Sequence, residues 1–101
     1  MSYVIRLLET AAGVKTEFDG EYVREYDPGY VHSDGYDGGL LETTADRALA
    51  RRFATPYAAL EYWRQSFGTR ADGKPNRPLT AWTVEVMPAE AITVTVGKEI
   101  A

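Results

Sequence analysis

The sequence contains no cysteine among its 101 residues and a single histidine. The absence of cysteine excludes disulfides, thiolate metal ligands and a thiol nucleophile. Small secreted domains usually depend on disulfides for stability, so we expect an intracellular, cytoplasmic protein. There is no run of about 20 apolar residues and no signal-peptide-like apolar stretch near residue 1, so we expect neither a membrane span nor export.

The net charge of −4 is small, which argues against a protein that coats nucleic acid through its overall charge. The charge is unevenly distributed, however. Residues 17–46, the acidic segment, carry nine acids and one base, whereas residues 47–77, the basic segment, carry seven bases and two acids. Either the two segments neutralise each other on a solvated surface, or they form separate surfaces for electrostatic recognition.

With 45% hydrophobic residues, a chain of this length should form one domain over residues 1–101 with a modest core. Patterns of apolar and β-branched residues predict strands at Tyr3–Leu8, Glu21–Tyr26, Leu40–Thr43, Leu79–Met87 and Ile92–Val96. In the second strand, simple alternation places Tyr22, Arg24 and Tyr26 on one face and Val23 and Glu25 on the other.

Two helices are predicted between the third and fourth strands. Thr43 or Thr44 can cap a first helix over Asp46–Ala54, in which Leu49 and Phe53 share a face. Thr55-Pro56 begins the second, and Gly68 ends it. Its predicted apolar stripe comprises Ala59, Leu60, Trp63 and Phe67. The predicted fold class is α+β, a mainly antiparallel four- to five-stranded sheet with two helices on one face.

The longest predicted loop, residues 27–39, is rich in Asp, Gly and Tyr. Tyrosine offers a large contact area at little cost in side-chain entropy, and carboxylates attract basic surfaces. The loop is therefore a candidate protein-binding site, although its tyrosines could equally cover the core. The candidate partner-binding residues are Asp27, Tyr30, Asp34, Tyr36 and Asp37.

The basic segment supports an alternative, an accessory protein that binds nucleic acid. Its aromatic residues could stack on bases, although the helical spacing of Phe53, Trp63 and Phe67 is explained first by core packing. A second proline-containing loop, residues 69–78, carries several of its bases. The candidate phosphate-binding residues are Arg51, Arg52, Arg64, Arg70 and Arg77.

A small enzyme or metal protein is the third hypothesis, and it depends on His32, which lies near Asp27, Asp34 and Asp37. Their spacing matches no known metal motif, and no serine lies in a nucleophile motif. We therefore predict no catalytic residue, no metal site and no cofactor.

Two blocks of sequence resemble small accessory proteins of bacteriophages and other bacterial mobile elements. They are LETTADRALARRFATPYAALEYW, which begins at Leu41, and DGKPNRPLTAWTVEV, which begins at Asp72. Some such proteins are anti-CRISPR or other anti-defence inhibitors, but the resemblance assigns no functional residue to this chain. The resemblance implies only an origin in a phage or mobile element. From the acidic, tyrosine-rich loop we predict a non-enzymatic module that binds a larger, basic, nucleic-acid-handling protein assembly, and an anti-defence inhibitor is the most specific version of this hypothesis. It leaves the oligomeric state open.

Overall fold

Four antiparallel strands form one sheet in the computed structural model, which describes residues 1–35 and 39–90. The strands are β1 (Tyr3–Thr10), β2 (Tyr22–Asp27), β3 (Leu40–Thr44) and β4 (Trp82–Pro88), in the spatial order β3-β2-β1-β4. One α-helix, α1 (Pro56–Trp63), and two 3-10 turns (Arg47–Leu49 and Pro78–Ala81) complete the described elements. The α+β class and the antiparallel sheet are therefore confirmed. The predicted strand Ile92–Val96 lies outside the described residues.

The main core lies between one face of the sheet and α1. Ile5 and Leu7 of β1 are fully buried there, and α1 contributes Ala59 and Tyr62. Three side chains at alternate positions of β4 pack against the same core: Trp82, Val84 and Val86. Complete burial of an aliphatic side chain of this size contributes roughly 2 kcal/mol.

A β-bulge in β2 overturns the predicted alternation of that strand. Val23 pairs with Thr43 and Glu25 with Glu42, which leaves Arg24 as the extra residue. As a result, Val23 and Tyr26 are both buried in the main core although they are three residues apart. Glu25 is exposed instead.

The helix predicted over Asp46–Ala54 is wrong, because tertiary hydrogen bonds hold part of this stretch extended. Asp46 caps only a single 3-10 turn, in which its carboxylate accepts a hydrogen bond from Ala48 N at 2.9 Å. Arg51 N then donates to Val23 O of β2 at 3.0 Å. Phe53 exchanges two 2.8 Å backbone hydrogen bonds with Tyr3 of β1.

The segment Arg51–Phe53 thus lies between two strands that have separated. In the antiparallel pairing of β1 with β2, Arg6 lies opposite Tyr22. If this pairing continued along both strands, a residue of β2 would also lie opposite Tyr3. Phe53 takes that place opposite Tyr3. Because it faces β1 here, Phe53 is buried, whereas Leu49, its predicted neighbour on a helix face, is 56% exposed.

The start of α1 follows the sequence prediction, but its end does not. The Thr55 hydroxyl accepts a hydrogen bond from Ala58 N at 3.0 Å, and Pro56 occupies the first turn. The helix ends at Trp63, well before Gly68. The predicted apolar stripe also shifts, because Tyr62 is buried while Leu60 is exposed.

Residues 67–76 form a short hairpin-like arm, which includes most of the loop that the sequence predicts over residues 69–78. Phe67 N donates to Asn76 O at 2.8 Å, and Asn76 N donates to Gly68 O at 2.9 Å. Beyond them, Arg70 N donates to Lys74 O at 2.8 Å across the tip. The Phe67 ring lies against Tyr26 and Tyr62, so the base of the arm is anchored in the core.

Candidate interaction surfaces

The described part of the 27–39 loop is built from local turns. The Asp27 carboxylate accepts a hydrogen bond from Gly29 N at 3.0 Å, and Gly35 N donates to His32 O at 2.8 Å. Asp27, Tyr30 and Asp34 are all exposed. The structure thus presents three predicted partner-binding residues on the surface. Tyr36 and Asp37 lie outside the described residues.

His32 has a structural contact in this loop. Its Nε2 lies 2.7 Å from Gly39 O, within hydrogen-bonding distance, and its ring meets that of Tyr30 edge to face. The contact links the middle of the loop to its last residue. Within residues 1–35 and 39–90, no group of three or more histidine, cysteine or acidic residues is placed to hold a metal ion.

An acidic surface that the sequence prediction missed lies on the outer side of β2 and β3. Glu25 and Glu42 are directly opposite partners in the antiparallel pair, and both are exposed. Asp27 is also exposed, two residues beyond Glu25 on the same strand. We call Glu25, Asp27 and Glu42 the acidic face. Alternation alone places Glu25 on the same face as the buried Val23, and it does not show that Glu25 lies opposite Glu42, which depends on the bulge and the strand register.

Among the described residues, no ion pair joins the acidic face to the basic segment. Three ion pairs join side chains in the described ranges: Arg52–Glu90, Arg64–Glu61 and Arg70–Asp72. None of them connects the acidic segment to the basic segment. Like charges directly opposite each other destabilise a sheet, so the facing carboxylates of Glu25 and Glu42 carry a cost that a cationic partner would relieve.

The predicted phosphate-binding arginines are divided between two environments. The Arg51 guanidinium stacks over the Tyr62 ring at 4.6 Å from its centroid and over Phe53 at 5.7 Å. Arg52 pairs with Glu90 at 3.3 Å. These two arginines already have contacts elsewhere, and neither lines the grooves described next.

Arg64, Arg70 and Arg77 line two open grooves, one beside α1 and one beside the arm. Arg64 and Arg77 line a groove of about 840 Å³ beside α1, and Arg70 and Arg77 line a neighbouring groove of about 480 Å³. The side chain of Arg64 contacts Glu61 and lies 5.8 Å from the centroid of the Tyr57 ring. This ion pair lowers the pKa of Glu61 and raises that of Arg64, mainly through their shared hydrogen bond.

Comparison with known proteins adds no assignment, since no family model, curated protein or solved structure matches this chain. In the part of the chain that the structure describes, no helix has both the length and the apolar character needed to cross a bilayer.

Proposed function

We propose that this chain is a non-enzymatic protein-binding module whose acidic face and 27–39 loop engage a basic surface on a partner protein. The observation that supports this most directly is the facing pair Glu25 and Glu42, both exposed and outside the ion pairs of the described residues. Electrostatic complementarity would relieve their repulsion and speed association.

The loop adds contact area beside these charges. Tyr30 is 39% exposed and lies three residues from Asp27, and the His32 contact to Gly39 O helps to hold this part of the loop in shape. An exposed tyrosine next to carboxylates suits an interface in which an aromatic anchor is surrounded by charged contacts. A loop held in shape before binding loses less conformational entropy when the partner docks.

In the most specific form of the proposal, the partner belongs to a larger assembly that handles nucleic acid, and the chain inhibits it stoichiometrically in an anti-defence role. A surface that holds nucleic acid is basic, so the acidic face would compete with phosphates for it. This form also agrees with the resemblance to small accessory proteins of phages and mobile elements.

The test is capture of partners from nuclease-treated bacterial lysate, followed by measurement of the affinity of each purified candidate at several salt concentrations. The double variant Glu25→Lys/Glu42→Lys should lose binding, and the wild-type affinity should fall as salt rises. A matched control, Glu9→Lys/Glu17→Lys, makes the same change in net charge at two exposed acids. Glu9 lies about 20 Å from Tyr3 along β1. Because β2 runs antiparallel to β1, Glu25 is nearer to the Tyr3 end of β1 than to Glu9. Equal losses in the two double variants would refute the role of the acidic face.

A further inference from the structure

The two grooves on the basic side are neighbours that share one lining residue, Arg77, and together we call them the joined grooves. The larger groove is bounded by α1 through Tyr57 and Arg64, and the smaller by the arm and the second 3-10 turn through Arg70 and Thr80. Across the two linings there are three arginines and one acid, Glu61. The joined grooves therefore favour an elongated anion over a compact, neutral ligand.

The walls that carry these arginines are structured. Arg64 directly follows α1 as its C-terminal cap residue, and Arg70 lies on the arm, where its backbone pairs with that of Lys74. Arg77 directly precedes Pro78, which begins the second 3-10 turn. Proline fixes the backbone path on this side of the grooves. Three guanidinium groups on preformed backbone can contact successive phosphates with little ordering of the chain.

The exposed ring of Tyr57 indicates which kind of anionic polymer the joined grooves suit. This side chain is 66% exposed and lines the larger groove, with Arg64 beside the ring. An aromatic ring next to a cationic groove is the arrangement by which proteins bind single-stranded nucleic acid, since bases stack on the ring while phosphates follow the charges. In a duplex the base faces are already stacked, and a polyphosphate has no bases.

We propose that the joined grooves bind single-stranded nucleic acid, with phosphates on Arg64, Arg70 and Arg77 and a base stacked on Tyr57. This site is independent of the acidic face and uses a different ligand. The site includes only three of the five arginines that the sequence predicts to bind phosphate, because Arg51 and Arg52 line neither groove.

The experiment is fluorescence anisotropy with labelled oligo(dT) and oligo(U) of about 12 nucleotides at about 50 mM salt. Three phosphate contacts predict a slope of about −2 when the logarithm of the association constant is plotted against that of salt concentration. Arg77→Ala should reduce that slope by about 0.7, and Tyr57→Leu should weaken binding about tenfold. The matched control is Arg52→Ala, which removes an exposed arginine that lines neither groove.

Two competitors sharpen the result. Unlabelled single strands should displace the probe well, whereas a duplex of the same length and inorganic polyphosphate should displace it poorly. Equal competition by polyphosphate, equal losses in Arg77→Ala and Arg52→Ala, or no binding at low salt would each overturn the proposal. Because the Arg77 side chain is exposed, we expect the thermal melt of its alanine variant to match that of the wild type.

Discussion

The acidic and basic segments handle concentrated charge differently. In the basic segment, Arg64 and Arg70 pair with acids close in sequence, and Arg51 lies over aromatic rings. In the acidic segment, the strand register places Glu25 directly opposite Glu42. Two basic side chains thus have an acidic partner beside them, whereas the acidic face places two exposed carboxylates opposite each other and outside the ion pairs of the described residues. This difference identifies the acidic face as the stronger candidate for a protein interface.

The largest expected effect is a difference in stability between alanine substitutions at two glycines that share one backbone conformation. Gly39 ends the 27–39 loop, and Gly73 lies at the tip of the arm. Gly39 and Gly73 both have φ of +83°, but a Cβ at Gly39 would overlap the Tyr26 hydroxyl and approach Asp27 O at 2.9 Å. A Cβ at Gly73 would meet nothing within 4 Å. We expect Gly39→Ala to cost roughly 2–5 kcal/mol and Gly73→Ala about 1 kcal/mol in urea unfolding. Equal losses would show that the 27–39 loop is no more tightly packed than the arm.

The second prediction concerns a hydrogen bond that joins the two sides. Tyr62 of α1 accepts a hydrogen bond through its hydroxyl from Tyr26 N of β2 at 3.0 Å, in a buried position. Removing the hydroxyl in Tyr62→Phe deprives the buried N–H of this acceptor, so we expect a loss of roughly 1–3 kcal/mol. The control Tyr57→Phe, at an exposed residue, should change the free energy of unfolding by less than about 0.5 kcal/mol. If Tyr62→Phe left the free energy of unfolding unchanged, this hydrogen bond would not couple α1 to β2.

The third prediction tests the repulsion on the acidic face directly. Glu42→Gln removes one of two facing carboxylates, so we expect it to stabilise the isolated protein by about 0.2–1 kcal/mol at low salt. The gain should shrink at high salt, because screening weakens the repulsion in the wild type. Glu85→Gln is the control, since Glu85 lies opposite Arg6 in the β1–β4 pair. A destabilising Glu42→Gln would contradict the assigned register.

The smallest effect is expected at the pair Glu61 and Arg64, whose contact lowers the pKa of Glu61. A lowered folded-state pKa means that the contribution of this carboxylate is present at neutral pH and is lost as the pH falls through that pKa. The melting temperatures of wild type and Glu61→Gln should therefore differ slightly at pH 7 and converge in acid, once the pH has fallen below the lowered pKa of Glu61. Because both side chains are exposed, high salt should also reduce the difference. A difference that persists at acid pH would assign the effect to packing.

Features that depend on neighbouring residues in the sequence could be predicted from it. The cap at Thr55, the proline that follows it and the alternation of β4 all appear in the structure where the pattern indicates. Capping and strand alternation are local effects, so the nearby sequence is enough to reveal them. The approximate positions of β1 and β3 are confirmed for the same reason.

Features that depend on distant partners could not be predicted. The stretch before α1 has a helical pattern, yet hydrogen bonds from Arg51 and Phe53 to two different strands hold it extended. The acidic face arises in the same way, since Glu25 meets Glu42 only through a bulge and a register set by the whole sheet. Tertiary pairing outweighs local propensity at both places.

The placement of Arg51–Phe53 between β1 and β2 also has a consequence for folding kinetics. A hairpin of β1 and β2 alone cannot complete the sheet, because β1 at Tyr3 pairs with Phe53, 50 residues later in the chain. Closing such a distant contact costs loop entropy before any stabilisation is gained, which slows folding. During synthesis, the strand closest to the first residue must wait until Phe53 has left the ribosome. Until then its Tyr3 end remains an unpaired strand edge, the kind of surface on which chains aggregate.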